Sequence, residues 1–336
     1  MITDFAARLK LPAFRVKQFN QAVYQQFVSS IDDLTTWPKS LRQELGSETA
    51  FFHFSKTQDF ISQDGKTIRT LMTRTADGKL IEAVLMRHRD GRNTVCVSCM
   101  VGCPVGCRFC ATGKMGFRVM LSADEIVDQV LYFARRYKKI TNVVFMGMGE
   151  PMLNLKAVLA AISTLASPEK MGLSQRRIVI STSGYLPQFQ ELIKSGFRGR
   201  VAISLHAPNQ KLRSQLMPVA KIYPLDKLLA VMDEFVNLTN KRVSYEYLLI
   251  AGVNDQDVHA RQLVGLLNRR LAHVNLIPYN PILGESYRRS SPSQIRRFKG
   301  IISQAGIPCT VRVTMGDDIS AACGQLAGKF STGTSN

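Results

Sequence analysis

No stretch of this 336-residue chain approaches the ~18 consecutive apolar residues that cross a bilayer as a helix. Its opening segment, MITDFAARLKLPAFRVKQF, has no signal-type apolar centre. These absences argue against a membrane partner and lead us to expect a cytoplasmic protein. Tandem repeats and low-complexity tracts are also missing, which excludes a solenoid or a disordered chain, and 45% hydrophobic residues are ample for a core. Acidic side chains are scarce: 25 Asp+Glu stand against 44 Lys+Arg, a net charge of +19. There is no basic tail, because residues 1–50 carry only +1 and residues 301–336 carry zero. The excess therefore belongs to the folded surface of residues 51–300, which suits a polyanion, nucleic acid first. A basic protein without such a partner is the alternative. Cysteine is sparse too, yet five of the seven crowd into CVSCMVGCPVGCRFC, residues 96–110.

Residues 1–48 read as a small helical unit: FRVKQFNQAVYQQF has apolar residues at helical spacing, and PKSLRQEL starts a helix on proline. Across 49–93, three Asp-Gly pairs separate β-type runs such as TIRTLMTR and LIEAVLMR, which predicts a hairpin meander. From 94 to 328, β-rich stretches alternate with helical ones (122–137, 154–166, 255–271), so we expect serial βα units around a parallel sheet, about six of them. Residues 329–336 read as a tail. In such sheets ligands bind at the C-terminal strand ends. The unusual segments gather there: the cysteines after TVCVS, GMGEP after NVVFM, STSG after RIVI, SLHAP after RVAI and PYNP after VNLI.

In a reducing compartment, clustered cysteines favour metal or catalysis over disulfides. Cys96-x2-Cys99 with Cys107-x2-Cys110 could form zinc knuckles, although the gap between them is short. Cys103-x3-Cys107-x2-Cys110 could instead hold a four-iron cluster with three thiolates, leaving one iron open.

That CxxxCxxC loop, with Phe109 before its last cysteine, resembles the signature of radical S-adenosylmethionine enzymes, and GMGEP resembles their cofactor-binding glycine stretch. The resemblance implies a partial (β/α)6 barrel, here with a small N-terminal helical domain and a β-hairpin extension. It also implies a 4Fe-4S cluster on Cys103, Cys107 and Cys110, with S-adenosylmethionine on the open iron. GDDISAACGQLAG, CVSCMVGCPVGCRFCATG and SLHAPN together resemble the RlmN and Cfr family of RNA adenosine methyltransferases, and the likeness runs over nearly the whole chain. It implies two S-adenosylmethionine molecules per turnover. Cys323 would take a methyl group from one. A radical made from the other would activate that methyl so that it adds to adenine. Cys96 would free the RNA by forming a disulfide, and Glu82 would remove the ring proton. Cofactor contacts are implied for Gly149, Glu150, Ser181, Ser204, Leu205, His206 and Asn280. Without the motif, Cys323 would read as a small buried hydrophobe.

Cys99 stands where family members commonly have serine, which would place an extra thiol among the ligands; we expect it to be dispensable. Cys309 is expected in a strand. The first eight-and-forty residues resemble the family's accessory RNA-binding domain. The expected reaction is methylation of carbon 2 of an adenosine in the peptidyl-transferase region of 23S rRNA, with the adenosine next to the anticodon of certain tRNAs as a further substrate. The alternative is a Cfr-type enzyme acting on carbon 8 and conferring antibiotic resistance; Pro278 in NLIPYNP leans towards carbon 2. A non-catalytic RNA-binding protein with a structural cluster would have lost Cys96 or Cys323, and both are present. RNA contacts are expected from Arg176, Arg177, Arg198, Arg200, Arg269, Arg270, Arg288, Arg289, Arg296 and Arg297, with the target base leaving its stack. A flavodoxin-like electron donor and a monomeric state complete the expectations.

Overall fold

The computed structural model of the chain describes residues 2–48, 51–282 and 284–327; the expected tail at 329–336 lies outside them. Three strands, β1 (Phe54–Ile61), β2 (Thr67–Arg74) and β3 (Leu80–Arg87), form the antiparallel meander that the Asp-Gly pairs predict. Its turns need glycine: Gly65, Gly78 and Gly91 all have φ between +65° and +82°. After β4 (Asn93–Cys96), a two-stranded ribbon pairs β5 (Met100–Gly102) with β6 (Phe117–Met120). The remaining strands are β7 (Asn142–Phe145), β8 (Ile178–Thr182), β9 (Arg200–Ser204), β10 (Val243–Leu249), β11 (Ala272–Pro278) and β12 (Cys309–Val311).

Ten strands make one sheet in the order β1-β2-β3-β4-β7-β8-β9-β10-β11-β12. From β4 onward every pairing is parallel, with helices on the crossovers at Ala123–Tyr137, Leu155–Ala166, Leu186–Lys194, Leu225–Thr239, Asp257–Leu267 and Pro292–Gln304. This is the partial barrel that the pattern implies, with one more parallel strand than expected. The additional strand is β12, three residues that begin at Cys309, where a strand is expected outside the six units. β10 and β11 end in apolar, buried residues, Tyr247–Leu249 and Leu276–Pro278, while Ser244, Glu246, His273 and Asn275 interrupt their first halves.

The meander is not a separate layer: Val84 in β3 pairs with Cys96 in β4, so residues 67–96 carry hydrogen bonding from the hairpins into the barrel. A buried ion pair from Arg74 Nε to Glu125 (2.7 Å) fixes the meander to the helix Ala123–Tyr137. Glu125 also closes that helix's capping box with Ser122. The N-terminal helices pack around Trp37, against which Phe5 (6.3 Å) and Phe19 (5.9 Å) lie. Arg135 Nε donates to the Val28 carbonyl, joining this unit to the same barrel helix. No helix among the described residues is long and apolar enough to cross a membrane.

Candidate active site

The cysteine loop begins where β5 and β6 cross. A Cβ on Gly102 (φ +73°) would lie 1.8 Å from the Gly116 carbonyl oxygen, so only glycine lets the ribbon close and deliver Cys103 to the strand ends. Cys110 is the N-cap of the short helix Ala111–Lys114, and its N–H donates to the Cys107 carbonyl (3.2 Å). Cys103, Cys107 and Cys110 all line one cavity of about 160 Å³. Burial pushes the three thiols up, Cys103 to about 12; Cys110 raises Cys103 and Cys107 further, and Cys103 also raises Cys107. Three thiolates side by side away from water need a cationic group to hold them, which is the condition an iron cluster meets. Among the described residues, no group of three or more His, Cys, Asp or Glu side chains is arranged to hold a metal ion.

Gly149, Glu150, Ser181, Ser204 and His206 line the same cavity. Gly149 has φ +105°, and a Cβ there would meet Met100 Cβ and Cγ at 2.7 Å. The loop is stitched to the start of the cysteine segment by bonds from Gly147 N to the Val97 carbonyl (3.1 Å), Cys99 N to the Met148 carbonyl (2.9 Å) and Met148 N to Ser98 Oγ (2.8 Å). Glu150 is fully enclosed, and burial raises its carboxyl above the usual range. Its Oε2 accepts from Ser183 N (2.8 Å) and Oγ (2.7 Å), and its Oε1 from Met152 N (3.1 Å), so it clamps the glycine loop to the end of β8 as well as walling the cavity. Ser183, also in the wall, carries this clamp and was invisible as a site residue in the sequence. His206 has φ +55° and accepts at Nδ1 from Leu248 N (3.1 Å), which leaves the proton on Nε2. Burial, with Arg213 nearby, holds it neutral down to about 3. Leu205 does not reach the cavity: its side chain is in the main core and its N–H donates to the Glu246 carbonyl (3.0 Å).

A second cavity, of about 70 Å³, adjoins the first. Cys96, at the end of β4, and Cys323, on the C-terminal loop, both line it; Cys323, Cys110 and Arg312 line both cavities. Cys96 is 7% exposed, and burial, reinforced by Cys323, pushes its thiol up to about 12, against the pull of Arg312. The Cys323 loop is fastened on several sides. Ala111 N donates to the Gly324 carbonyl (2.8 Å), Thr112 Oγ1 to the Leu326 carbonyl (2.6 Å) and Asn280 Nδ2 to the Cys323 carbonyl (3.1 Å). Asn280 lines the second cavity and is itself held by Arg289 (2.8 Å).

Glu82 is fully buried on β3, on the strand face that brings Val84 and Met86 into the cavity wall, yet it lines neither cavity. It forms a buried ion pair with Arg69, and its Oε2 accepts from Ala327 N (2.8 Å), another fastening of the loop. Glu246 does line the first cavity. Its Oε1 accepts from Asn275, while buried Oε2 has no hydrogen bond and sits 3.7 Å from Arg312. Neither Glu246 nor Arg312 has a sequence signal, since both sit in strand-like runs. Cys99 is 2% exposed and packed behind Gly149, outside both cavities, so the expected extra thiol among the ligands is not there. Cys309 is half-buried in β12 as expected.

The arginines divide by strand polarity. Arg176 and Arg177 precede β8, Arg198 and Arg200 lead into β9, and Arg269 and Arg270 precede β11, all on the face opposite the strand ends that form the site. They therefore lie at the end of the strands away from Cys323. Arg270 is paired with Asp233 (3.0 Å) and Arg297 with Asp257 (2.5 Å). Of the set, Arg288 and Arg289 follow β11 on the site's face.

A parallel partial barrel with a three-cysteine loop over its strand ends defines a class, and comparison agrees. Residues 97–264 match the family described as the Radical SAM superfamily, whose members use a 4Fe-4S cluster and S-adenosylmethionine. The chain is 45% identical, over 97% of its length and 88% of the relative's, to a probable dual-specificity RNA methyltransferase RlmN of Symbiobacterium thermophilum. It is 41% identical, over 96% of its length and 95% of the relative's, to a ribosomal RNA large subunit methyltransferase Cfr of Clostridium botulinum. A radical SAM methyltransferase crystal structure from Sphaerobacter thermophilus superposes with a TM-score of 0.95 at 43% identity, covering 98% of this chain and 97% of that one. The chain belongs to the RlmN/Cfr family of radical S-adenosylmethionine RNA methyltransferases.

Proposed function

We propose that the chain methylates carbon 2 of an adenosine in the peptidyl-transferase region of 23S rRNA in the cytoplasm, and also the adenosine next to the anticodon in certain tRNAs. The observation that carries this reading is the meeting of Cys96 and Cys323 in one cavity beside the cavity of Cys103, Cys107 and Cys110. Those three thiolates would hold the cluster, which when bound supplies the electron that turns S-adenosylmethionine into a radical source. Gly149, Glu150, Ser181, Ser204, His206 and Asn280 would position that cofactor. The Nε2–H of His206 offers a fixed donor, and glycine at 149 lets the loop backbone lie against Met100 in the cavity wall.

Cys323 accepts a methyl group: its sulfur–carbon bond forms as the donor's sulfonium–carbon bond breaks. One hydrogen atom of that methyl would leave to the radical source, the methylene carbon would bond to the adenine ring, and the odd electron of the adduct would return to the cluster. The ring proton passes to a carboxylate, which we assign to Glu82. The Cys96 thiolate attacks the Cys323 sulfur, the base-bound carbon leaves with the electron pair of the broken sulfur–carbon bond and takes up a proton to become the product's methyl group, and a Cys96–Cys323 disulfide remains for an external thiol to reduce. The N-terminal unit 1–48 is proposed as the accessory RNA-binding domain, and the working state as a monomer served by a flavodoxin-like reductant.

A second regiochemistry, carbon 8, is favoured by one specific observation, the nearly equal identity to relatives named Cfr. The test is anaerobic incubation of reconstituted enzyme with S-adenosylmethionine, reductant and unmodified 23S rRNA fragment, followed by nucleoside mass spectrometry. 2-Methyladenosine is the expected product, 8-methyladenosine would move the chain to the second regiochemistry, and no methyladenosine at all would sink the reading.

A further inference from the structure

Among the described residues, Arg213 is the largest fully buried side chain, at 1% exposure. It projects from the helix Gln210–Leu216, whose last carbonyl accepts from the N–H of Arg108 (3.1 Å) in the cysteine loop. Only one of its nitrogens is engaged: Nη2 donates to the carbonyls of Ser183 (2.7 Å) and Ser204 (3.3 Å) at the ends of β8 and β9. Nε and Nη1 are buried without a hydrogen-bond partner. Among the described residues, no carboxylate forms an ion pair with this guanidinium.

Such a residue is uncommon, because a buried arginine is ordinarily paired and an uncompensated one costs several kcal/mol, on the order of what a whole domain's stability allows. Two carbonyl dipoles offset part of that cost and leave the net charge in place. What surrounds it is the wall of the cofactor cavity: Ser183 and Ser204, whose carbonyls it holds, line that cavity together with Cys107, and the carbonyl that ends its helix accepts from Arg108, the residue after Cys107. The guanidinium thus lies behind the wall that carries the middle cysteine of the loop, between two strand ends that line the cofactor cavity.

We propose that Arg213 is the fixed counter-charge of the iron–sulfur cluster, a positioning residue that stabilises the loaded and reduced site at the expense of the cluster-free fold. This rests on the assignment of Cys103, Cys107 and Cys110 as the ligands. Three thiolates around a four-iron core of charge +2 leave a net charge of −1, and the electron that starts the reaction makes it −2. The buried cation is unpaired without the cluster, paired when it is bound, and paired more strongly after reduction. It therefore favours both iron retention and electron uptake, without touching either substrate.

The experiment compares wild type with Arg213→Met, which keeps volume but not charge, and Arg213→Lys, which keeps charge but not the fork. Three quantities are read: melting of cluster-free protein, iron retained after anaerobic reconstitution and gel filtration, and the cluster midpoint potential by redox titration followed by electron paramagnetic resonance. Arg213→Met is expected to melt higher than wild type when cluster-free, to retain less iron, and to shift to lower potential by at least a tenfold change in the reduced-to-oxidised ratio, ~59 mV for one electron. Arg213→Lys is expected to stay near wild type in potential. Equal potentials in wild type and Arg213→Met would overturn the proposal, as would equal shifts in both variants, which would report shape and not charge. An Arg213→Met protein that fails to fold without the cluster also counts against it, because the proposal requires the neutral residue to suit that state better. If wild-type protein binds no iron, the ligand assignment has failed, and the cluster-free melting comparison still decides whether Arg213 is an uncompensated charge.

Discussion

Replacing Gly149 by alanine perturbs the cofactor cavity at a point where the cost can be worked out. The residue's φ of +105° lies where side chains rarely go, and holding alanine there costs ~1–3 kcal/mol. The new Cβ would stand 2.7 Å from Met100 Cβ and Cγ and 3.0 Å from Cys99 Sγ. Those separations are well inside ordinary carbon contact, and overpacking of this kind costs a further ~1–3 kcal/mol. The total, roughly 2–6 kcal/mol, is below the stability of most domains, so the fold should survive with the 147–150 loop displaced. Displacement carries Glu150 out of the cavity wall and breaks its clamp on Ser183. We expect Gly149→Ala to melt about 5–10 °C below wild type, to load iron normally, and to bind S-adenosylmethionine at least tenfold more weakly by calorimetry, roughly 1.4 kcal/mol. Met100→Ala should not rescue it, because the clashing Cβ of residue 100 remains. A Gly149→Ala protein with wild-type melting temperature and cofactor affinity would refute the reasoning.

His206 supplies a pH prediction. Its folded value of about 3 lies below the ordinary 6.5, so above pH 6.5 both folded and unfolded states are neutral. As pH falls below 6.5 the unfolded chain takes the proton and the folded protein refuses it, so stability is lost by up to about 1.4 kcal/mol per pH unit. Urea unfolding at several pH values should show this slope in wild type and not in His206→Gln; parallel curves would contradict it. Cys99→Ser should keep full iron content and methyl transfer, and loss of either would return Cys99 to the site. In cluster-free protein at pH 7.5, iodoacetamide should label half-buried Cys323 well before Cys96, whose thiol is raised to about 12 by burial; mass spectrometry showing the reverse order would count against the cavity geometry. Glu82→Gln should accumulate a covalent RNA–protein adduct visible on denaturing gels. If Glu246→Gln accumulates it instead, the carboxylate that lines the cavity, and not the one that ties down Ala327, is the base.

Much of the site could be read from the chain because its chemistry is local. CxxxCxxC places three thiols on one short loop, GMGEP places a glycine turn and a carboxylate on the next strand end, and Asp-Gly pairs mark hairpin turns. In each case the relevant contacts lie within a few residues, so spacing alone carries them. The alternating strands and helices likewise announced a parallel sheet, and with it the end of the sheet at which the site would be found.

What sequence could not decide are matters of distance and direction. Cys99 looks like one more thiol of the same loop, yet the segment between β4 and β5 turns it behind Gly149, into the core. The basic residues look alike in a list of charges, but strand polarity puts six of the ten named arginines on the face away from the site. Arg213 reads as one more helix arginine, and only packing shows it to be buried without a counter-ion. Cys96 and Cys323 are far apart in the chain, and no spacing rule joins them. The order of the sheet from β4 to β12, and the bonds that fasten the last loop to Ala111, Thr112, Asn280 and Glu82, bring the two sulfurs to one cavity. Local sequence determined which groups this protein possesses; the barrel, by burying some, exposing others and returning the chain's end to its first parallel strand, decided which of them meet.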